Sequence, residues 1–216
     1  MIKTLASLIV ASAVYGFTVG SAHCLLYASR NLIKFPLLIL STAIVCSMAY
    51  YVMARFLTPE LTFRQVQSLV IKLFRDMSIL LASLCLPNFF IAQILVHTDD
   101  ARLGEYSFFL GLNVVFVAVS GTLALVHQAR AILAACKVTR RRVLTVISSW
   151  LLLTLLVGGQ AAFYLRPFFG LPASRGCTPP FALGAAPDVR GATNFYEAII
   201  QIFTEPPLPK SWGGGK

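Results

Sequence analysis

His23 and His97 are the side chains of this 216-residue chain best placed to hold a cofactor. Each falls near the end of a long apolar stretch. The charge argument given below puts both on the same, outer side. Two imidazoles facing each other between helices could ligate a haem iron or a pigment. His127 falls near the opposite side without a histidine partner. The plainer reading is three isolated interfacial histidines, and no cofactor is expected. The five cysteines show no metal-ligand spacing, and no metal is expected either. Cys46 and Cys85 read as small apolar packing residues. Cys136 falls on the inner side. Cys24 and Cys177 fall outside, where disulfides persist, and a bridge between them would tie the tail to the first span.

The acids and amides give no sharper chemistry. Asp99, Asp100 and Glu105 stand close together, and their oxygens suit a hard cation. A solvated loop cap explains them as well. Asp76, next to Arg75, marks the start of an apolar stretch. Asn88, Gln93, Asn113 and Gln160 are amides in apolar surroundings. They either line a path for a polar solute or hydrogen-bond between helices. The chain has no glycine-rich phosphate loop, no histidine-glutamate zinc helix and no nucleophile elbow. No catalytic residue is expected, and the chain reads as a non-enzyme.

The elements that must position these residues are five stretches without a formal charge, at 4–29, 35–54, 77–98, 106–129 and 143–165. Each reaches the roughly 20 residues a helix needs to cross a bilayer. Hydrophobic residues make up 57% of the chain and charged residues 12%. Soluble domains carry about twice that charged fraction. The expected architecture is an all-α integral membrane protein, a bundle of about five transmembrane helices over residues 1–165. No separate soluble catalytic domain fits beside it. Lys3 precedes an apolar run that resembles a signal peptide, but the run is too long for one, and a retained first span is expected.

Loop charge sets the expected orientation. The N-terminus, the second loop and the fourth loop share one face. They carry Lys3; Arg55, Arg64, Lys72 and Arg75; and Arg130, Lys137, Arg140, Arg141 and Arg142. The opposite short loops carry Arg30, Lys34 and Arg102. Cytoplasmic loops gather Lys and Arg, so the N-terminus is expected in the cytoplasm and the tail from Arg166 outside. The net charge of +10 then suits anionic lipid headgroups on the cytoplasmic side rather than nucleic acid.

Finer signals lie within and between the spans. Ser12, Gly16, Gly20 and Cys24 recur at intervals of four, a small-residue stripe along which a second helix can approach closely. The partner helix is either internal or from a second protomer. Thr62 and Gln65 fit a capping box ahead of Val66, Leu69, Val70, Leu73 and Met77 at helical spacing. This predicts a cytoplasmic interfacial helix over 62–76, or else a simple extension of the third span. Pro87 predicts a break within that span. The tail, 166–216, holds Pro172, Pro179, Pro180 and Pro187, which exclude a long helix there. A short amphipathic helix is expected over 194–205, capped by Thr193 or Asn194, lying on the membrane or against the bundle. Arg166, Phe168, Phe169, Phe195, Tyr196 and Ile199 are the candidates for docking a partner.

Two sets of residues resemble a known group. One is Tyr15-Gly16 with Gly20, followed by Lys34-Phe35-Pro36-Leu37-Leu38. The other is Leu165-Arg166-Pro167-Phe168-Phe169-Gly170, then Pro180-Phe181 and Asn194-Phe195-Tyr196-Glu197-Ala198-Ile199. Together they resemble an uncharacterised group of bacterial multi-spanning membrane proteins of similar length. That resemblance implies the architecture and a bacterial cytoplasmic (inner) membrane, and it supplies no catalytic residues. The tyrosine-glycine and proline elements also bear a distant resemblance to the Yip family of five-span trafficking proteins. That family typically carries a long cytosolic N-terminal region, which this chain is expected to lack.

These readings favour a non-enzymatic scaffold or accessory subunit of a larger membrane complex. Its expected partners are the bilayer, other membrane subunits or further copies of itself. A small transporter or channel for a polar solute is the alternative. A haem- or pigment-binding subunit is the second alternative.

Overall fold

Residues 2–22, 25–57, 62–96, 103–135, 139–165 and 193–204 are described by a computed structural model. Among them the chain is wholly helical. The helices are α1 (Ile2–Ser21), α2 (Leu25–Leu57), α3 (Phe63–Ser83), α4 (Cys85–Val96), α5 (Leu103–Ala135), α6 (Arg140–Leu165) and α7 (Phe195–Thr204). Four of these, α1, α2, α5 and α6, are long and apolar enough to cross a membrane. The pair α3 and α4 meets the same test taken together, but is bent by 48° at its junction.

Much of the outer surface of these helices is hydrocarbon. Ile44, Val45, Met48 and Val52 on α2 and Leu152 and Leu156 on α6 are exposed. Water penalises such continuous apolar faces, whereas lipid tails solvate them. The long apolar helices are thus compatible with a membrane location.

The first two helices form a hairpin whose turn lies earlier than expected. The charge pattern placed it at 30–34, between stretches 4–29 and 35–54. In the structure α1 ends at Ser21 and α2 begins at Leu25, so Arg30 and Lys34 lie inside α2. The reason is the small-residue stripe. A Cβ at Gly16 would stand 2.5 Å from the Asn31 carbonyl oxygen and 2.5 Å from the Phe35 Cβ. A Cβ at Gly20 would stand 2.5 Å from the Tyr27 oxygen and 2.7 Å from the Ala28 Cα. The stripe therefore meets α2 of the same chain. Ser12, on the same stripe, is buried and donates to the Leu8 carbonyl of its own helix at 2.8 Å.

The capping box at Thr62 is present. The Gln65 amide N–H donates to the Thr62 hydroxyl, and the Thr62 N–H donates to the Gln65 side-chain oxygen at 2.8 Å. The helix it starts does not end at residue 76. It runs unbroken to Ser83, so 62–76 and the first part of 77–98 form one helix. The break comes at Leu84. Pro87 has no N–H to offer the Ser83 carbonyl four residues back, and its ring crowds that carbonyl. The ladder resumes at once, with the Asn88 N–H donating to the Leu84 oxygen at 3.0 Å.

The helices close around one main core. α1 packs on α2, α3 and α4, while α2 also meets α3 and α6. α5 lies against α3, α4 and α6. Tyr50 of α2 stacks on Trp150 of α6 with ring centroids 4.7 Å apart, and its hydroxyl meets that of Thr154.

Candidate functional site

The tail helix α7 is built by a local signal. Asn194 caps it: its side-chain oxygen accepts from the Glu197 N–H at 2.9 Å. The Glu197 carboxylate reaches back to the Thr193 N–H at 2.9 Å and the Thr193 hydroxyl at 3.1 Å. Orphan amides at the helix start are thereby satisfied from both directions. Ala198 on the inner face is fully buried, and Phe195 and Ile199 pack against the main core.

Gly159 on α6 is the seat of α7. A Cβ there would lie 2.9 Å from the Phe195 ring and 3.2 Å from the Tyr196 hydroxyl. With no side chain in the way, Tyr196 donates to the Leu155 carbonyl inside α6 at 2.6 Å. Burial pushes the Tyr196 hydroxyl pKa up, which keeps it a donor. Three of the six docking candidates, Phe195, Tyr196 and Ile199, thus touch this chain's own bundle. Arg166, Phe168 and Phe169 lie outside the described residues.

Beneath α7 lies a cavity of about 150 Å³. Its walls come from α2 (Phe35, Ile39, Thr42), α3 (Leu73, Met77), α5 (Gly121, Leu125), α6 (Gly158, Ala162) and α7 (Phe195, Tyr196). The wall is almost entirely carbon. Its hydroxyls are turned onto helix carbonyls: Thr42 donates to Leu38 at 2.8 Å and Thr154 to Trp150 at 2.7 Å. Tyr196 does the same at Leu155.

The interior amides lie elsewhere and act between helices. Tyr15 of α1 donates to Asn113 of α5 at 2.7 Å, and Asn113 donates to the Phe109 carbonyl at 2.8 Å. Asn88 of α4 donates to the Thr18 hydroxyl of α1 at 3.3 Å. Thr18 itself donates to the Tyr15 carbonyl, which fixes the Asn88 amide with its nitrogen toward α1. No described donor reaches the buried Asn88 carbonyl oxygen. Gln93 and Gln160 are half-buried.

A third cluster escaped the sequence reading. Asp76 on α3 accepts from His127 Nδ1 at 3.0 Å and Gln128 Nε2 at 2.9 Å, both on α5. Its other oxygen accepts from the adjacent Arg75 Nε at 2.8 Å. Asp76 stands just before the apolar stretch 77–98. Burial alone would raise its pKa, but the donors from Arg75, His127 and Gln128 outweigh it and hold the carboxyl below its usual range. The only available signal was that Asp76 and His127 fall on the same predicted face.

Comparison with known proteins finds no matching family model, no matching curated protein and no matching solved structure. The site must therefore be read from its own residues. His23, His97, Cys24, Cys177, Asp99 and Asp100 lie outside the described residues, as does the side chain of Glu105. Among the described residues no three His, Cys, Asp or Glu side chains group as metal ligands. Cys46 is buried and Cys85 half-buried, both as free thiols.

Proposed function

We propose that this chain is a multi-pass membrane protein serving as a scaffold or accessory subunit of a larger membrane complex. In this reading it crosses the bilayer five times, with α3 and α4 forming one bent span. The N-terminus is cytoplasmic, the tail lies outside, and the membrane is the inner membrane of a bacterium. The carrying observation is how the interior polar groups are used. Tyr15, Thr18, Asn88 and Asn113 bond helix to helix, the arrangement of a bundle stabilised by its internal packing. α7 adds a short outer helix seated on that bundle, with Ile200 exposed for a neighbour.

The alternative, a transporter or channel for a polar solute, draws less support. Two of the amides that would line its path are committed to the packing. Asn88 donates to Thr18 of α1, and Asn113 accepts from Tyr15 of α1 while donating to the Phe109 carbonyl of its own helix. The cavity beneath α7 is walled almost entirely by carbon.

The test is purification in mild detergent at native abundance, with identification of whatever co-migrates. One or a few membrane proteins in fixed ratio are expected. A lone monodisperse protomer overturns the reading.

A further inference from the structure

We propose that the cavity beneath α7 is a binding site for a hydrocarbon chain, supplied by a lipid of the surrounding bilayer. The inference needs only that the bundle sits in a membrane, and it is independent of whether the protein is a scaffold.

Three observations carry it. The first is wall chemistry. The Thr42, Thr154 and Tyr196 hydroxyls are committed to helix carbonyls, so the wall presents carbon to an occupant. Water needs two to four polar partners to settle in a cavity, and this wall withholds them. The second is size. At about 150 Å³ the space matches apolar cavities that stay dry yet bind benzene or xenon. A segment of an acyl or isoprenoid chain fits the same description.

The third is that the space is kept open by residues that could have closed it. A Cβ at Gly121 would meet nothing nearer than the Met77 sulfur at 3.7 Å. A Cβ at Gly158 would meet nothing nearer than the Thr42 methyl at 3.6 Å. Both distances are ordinary van der Waals contact. Glycine inside a helix is unfavourable relative to alanine, so two glycines that packing does not require are a standing cost. An empty cavity adds a second cost, because its lining atoms forfeit dispersion contacts. An alkyl chain lying along Gly121 and Gly158 removes the second cost and gives the glycines a purpose. α7 closes the site from above through Phe195 and Tyr196, and Gly159 holds that closure in place.

The test uses the full chain in bilayer nanodiscs of phosphatidylethanolamine and phosphatidylglycerol. A small fraction of the phospholipid carries a photoreactive diazirine within its acyl chain. A parallel sample contains a free fatty acid bearing the same group. After illumination, labelled residues are mapped by mass spectrometry. Label on the cavity-facing positions of α5 and α6 is expected from the phospholipid. Label there from the free fatty acid alone would keep the hydrocarbon site and assign it to a free acid.

Gly121→Leu with Gly158→Leu should abolish that label, while outward positions such as Ile44 and Val45 keep theirs. Gly121→Ala with Gly158→Ala is the milder pair, fits the space and should lower the cavity label without loss of folding. Cavity positions that stay unlabelled by both probes overturn the proposal. So does cavity label that is unchanged in a folded, filled variant.

Discussion

Gly16 and Gly20 on α1 stand where a side chain has no room, whereas Gly121 and Gly158 stand where one would fit. The two pairs mark two differently built halves of one bundle. Along α1 the helices touch backbone to backbone and the buried polar groups bond across the seam. Between α2, α3, α5 and α6 the helices also pack but leave a cavity, the hydroxyls along it turn onto helix carbonyls, and α7 covers it. The same residue serves as a requirement of packing in one half and as withheld packing in the other. A glycine in a membrane helix therefore becomes informative only when the atoms opposite it are known.

The sharpest way to break this contrast is Gly20→Ala. Its new methyl would meet the Tyr27 and Ala28 backbone, which cannot swing aside like a side chain. A loss of about 1–3 kcal/mol is expected, read as an earlier thermal transition in detergent. A variant as stable as the parent would dissolve the contrast. Tyr15→Phe tests the same half through its polar seam. It leaves Asn113 short of a donor and should cost about 1 kcal/mol by the same melt.

On the other half, Gly121→Ala should be neutral or should stabilise by about 0.4–1 kcal/mol, the opposite sign to Gly20→Ala. A loss of stability there would show the cavity to be tighter than its geometry states. Gly159→Ala presses on the Phe195 ring and Tyr196 hydroxyl, so α7 should loosen while the bundle holds. Faster hydrogen exchange confined to 195–204 is the expected readout.

The smallest effect belongs to Asp76, which ties α3 to α5 beside the cavity residues Met77 and Leu125. Its folded pKa is depressed, so its contribution is complete above the ordinary carboxylate range. That contribution is lost as pH falls through the folded value. Asp76→Asn should remove this contribution, lowering the melting temperature slightly at neutral pH and flattening the acid-side decline so that variant and parent converge in acid, as a melting series from neutral to acidic pH would show.

Local signals were readable in the sequence, and mutual placement was not. Thr62 with Gln65, Asn194 with Glu197, and Pro87 each act within one or two turns, so residue order revealed the first cap and the break and narrowed the second cap to Thr193 or Asn194. The stripe of Gly16 and Gly20 was visible for the same reason. The α1–α2 turn was misplaced because hydropathy runs unbroken from residue 4 to 29, and long basic side chains such as Arg30 and Lys34 can sit within a helix near its end. The pattern alone leaves open whether 62–76 is a separate helix or an extension of the span, because a change from amphipathic to apolar pattern need not interrupt a helix; α3 runs through it. Asp76 with His127, and Gly121 with Gly158, depend on how distant helices lie beside one another. That information resides in packing rather than in local spacing.

The elbow at Leu84 has a mechanical consequence. A straight rod can slide lengthwise past its neighbours like a piston. A rod bent by 48° cannot, because advancing one limb drives the other sideways into the wall. Here each limb is also pinned, α3 to α5 through Asp76 and α4 to α1 through Asn88. Axial travel of this segment is thereby blocked, and the motion left to it is pivoting about the elbow, toward or away from the hollow that Met77 helps to line.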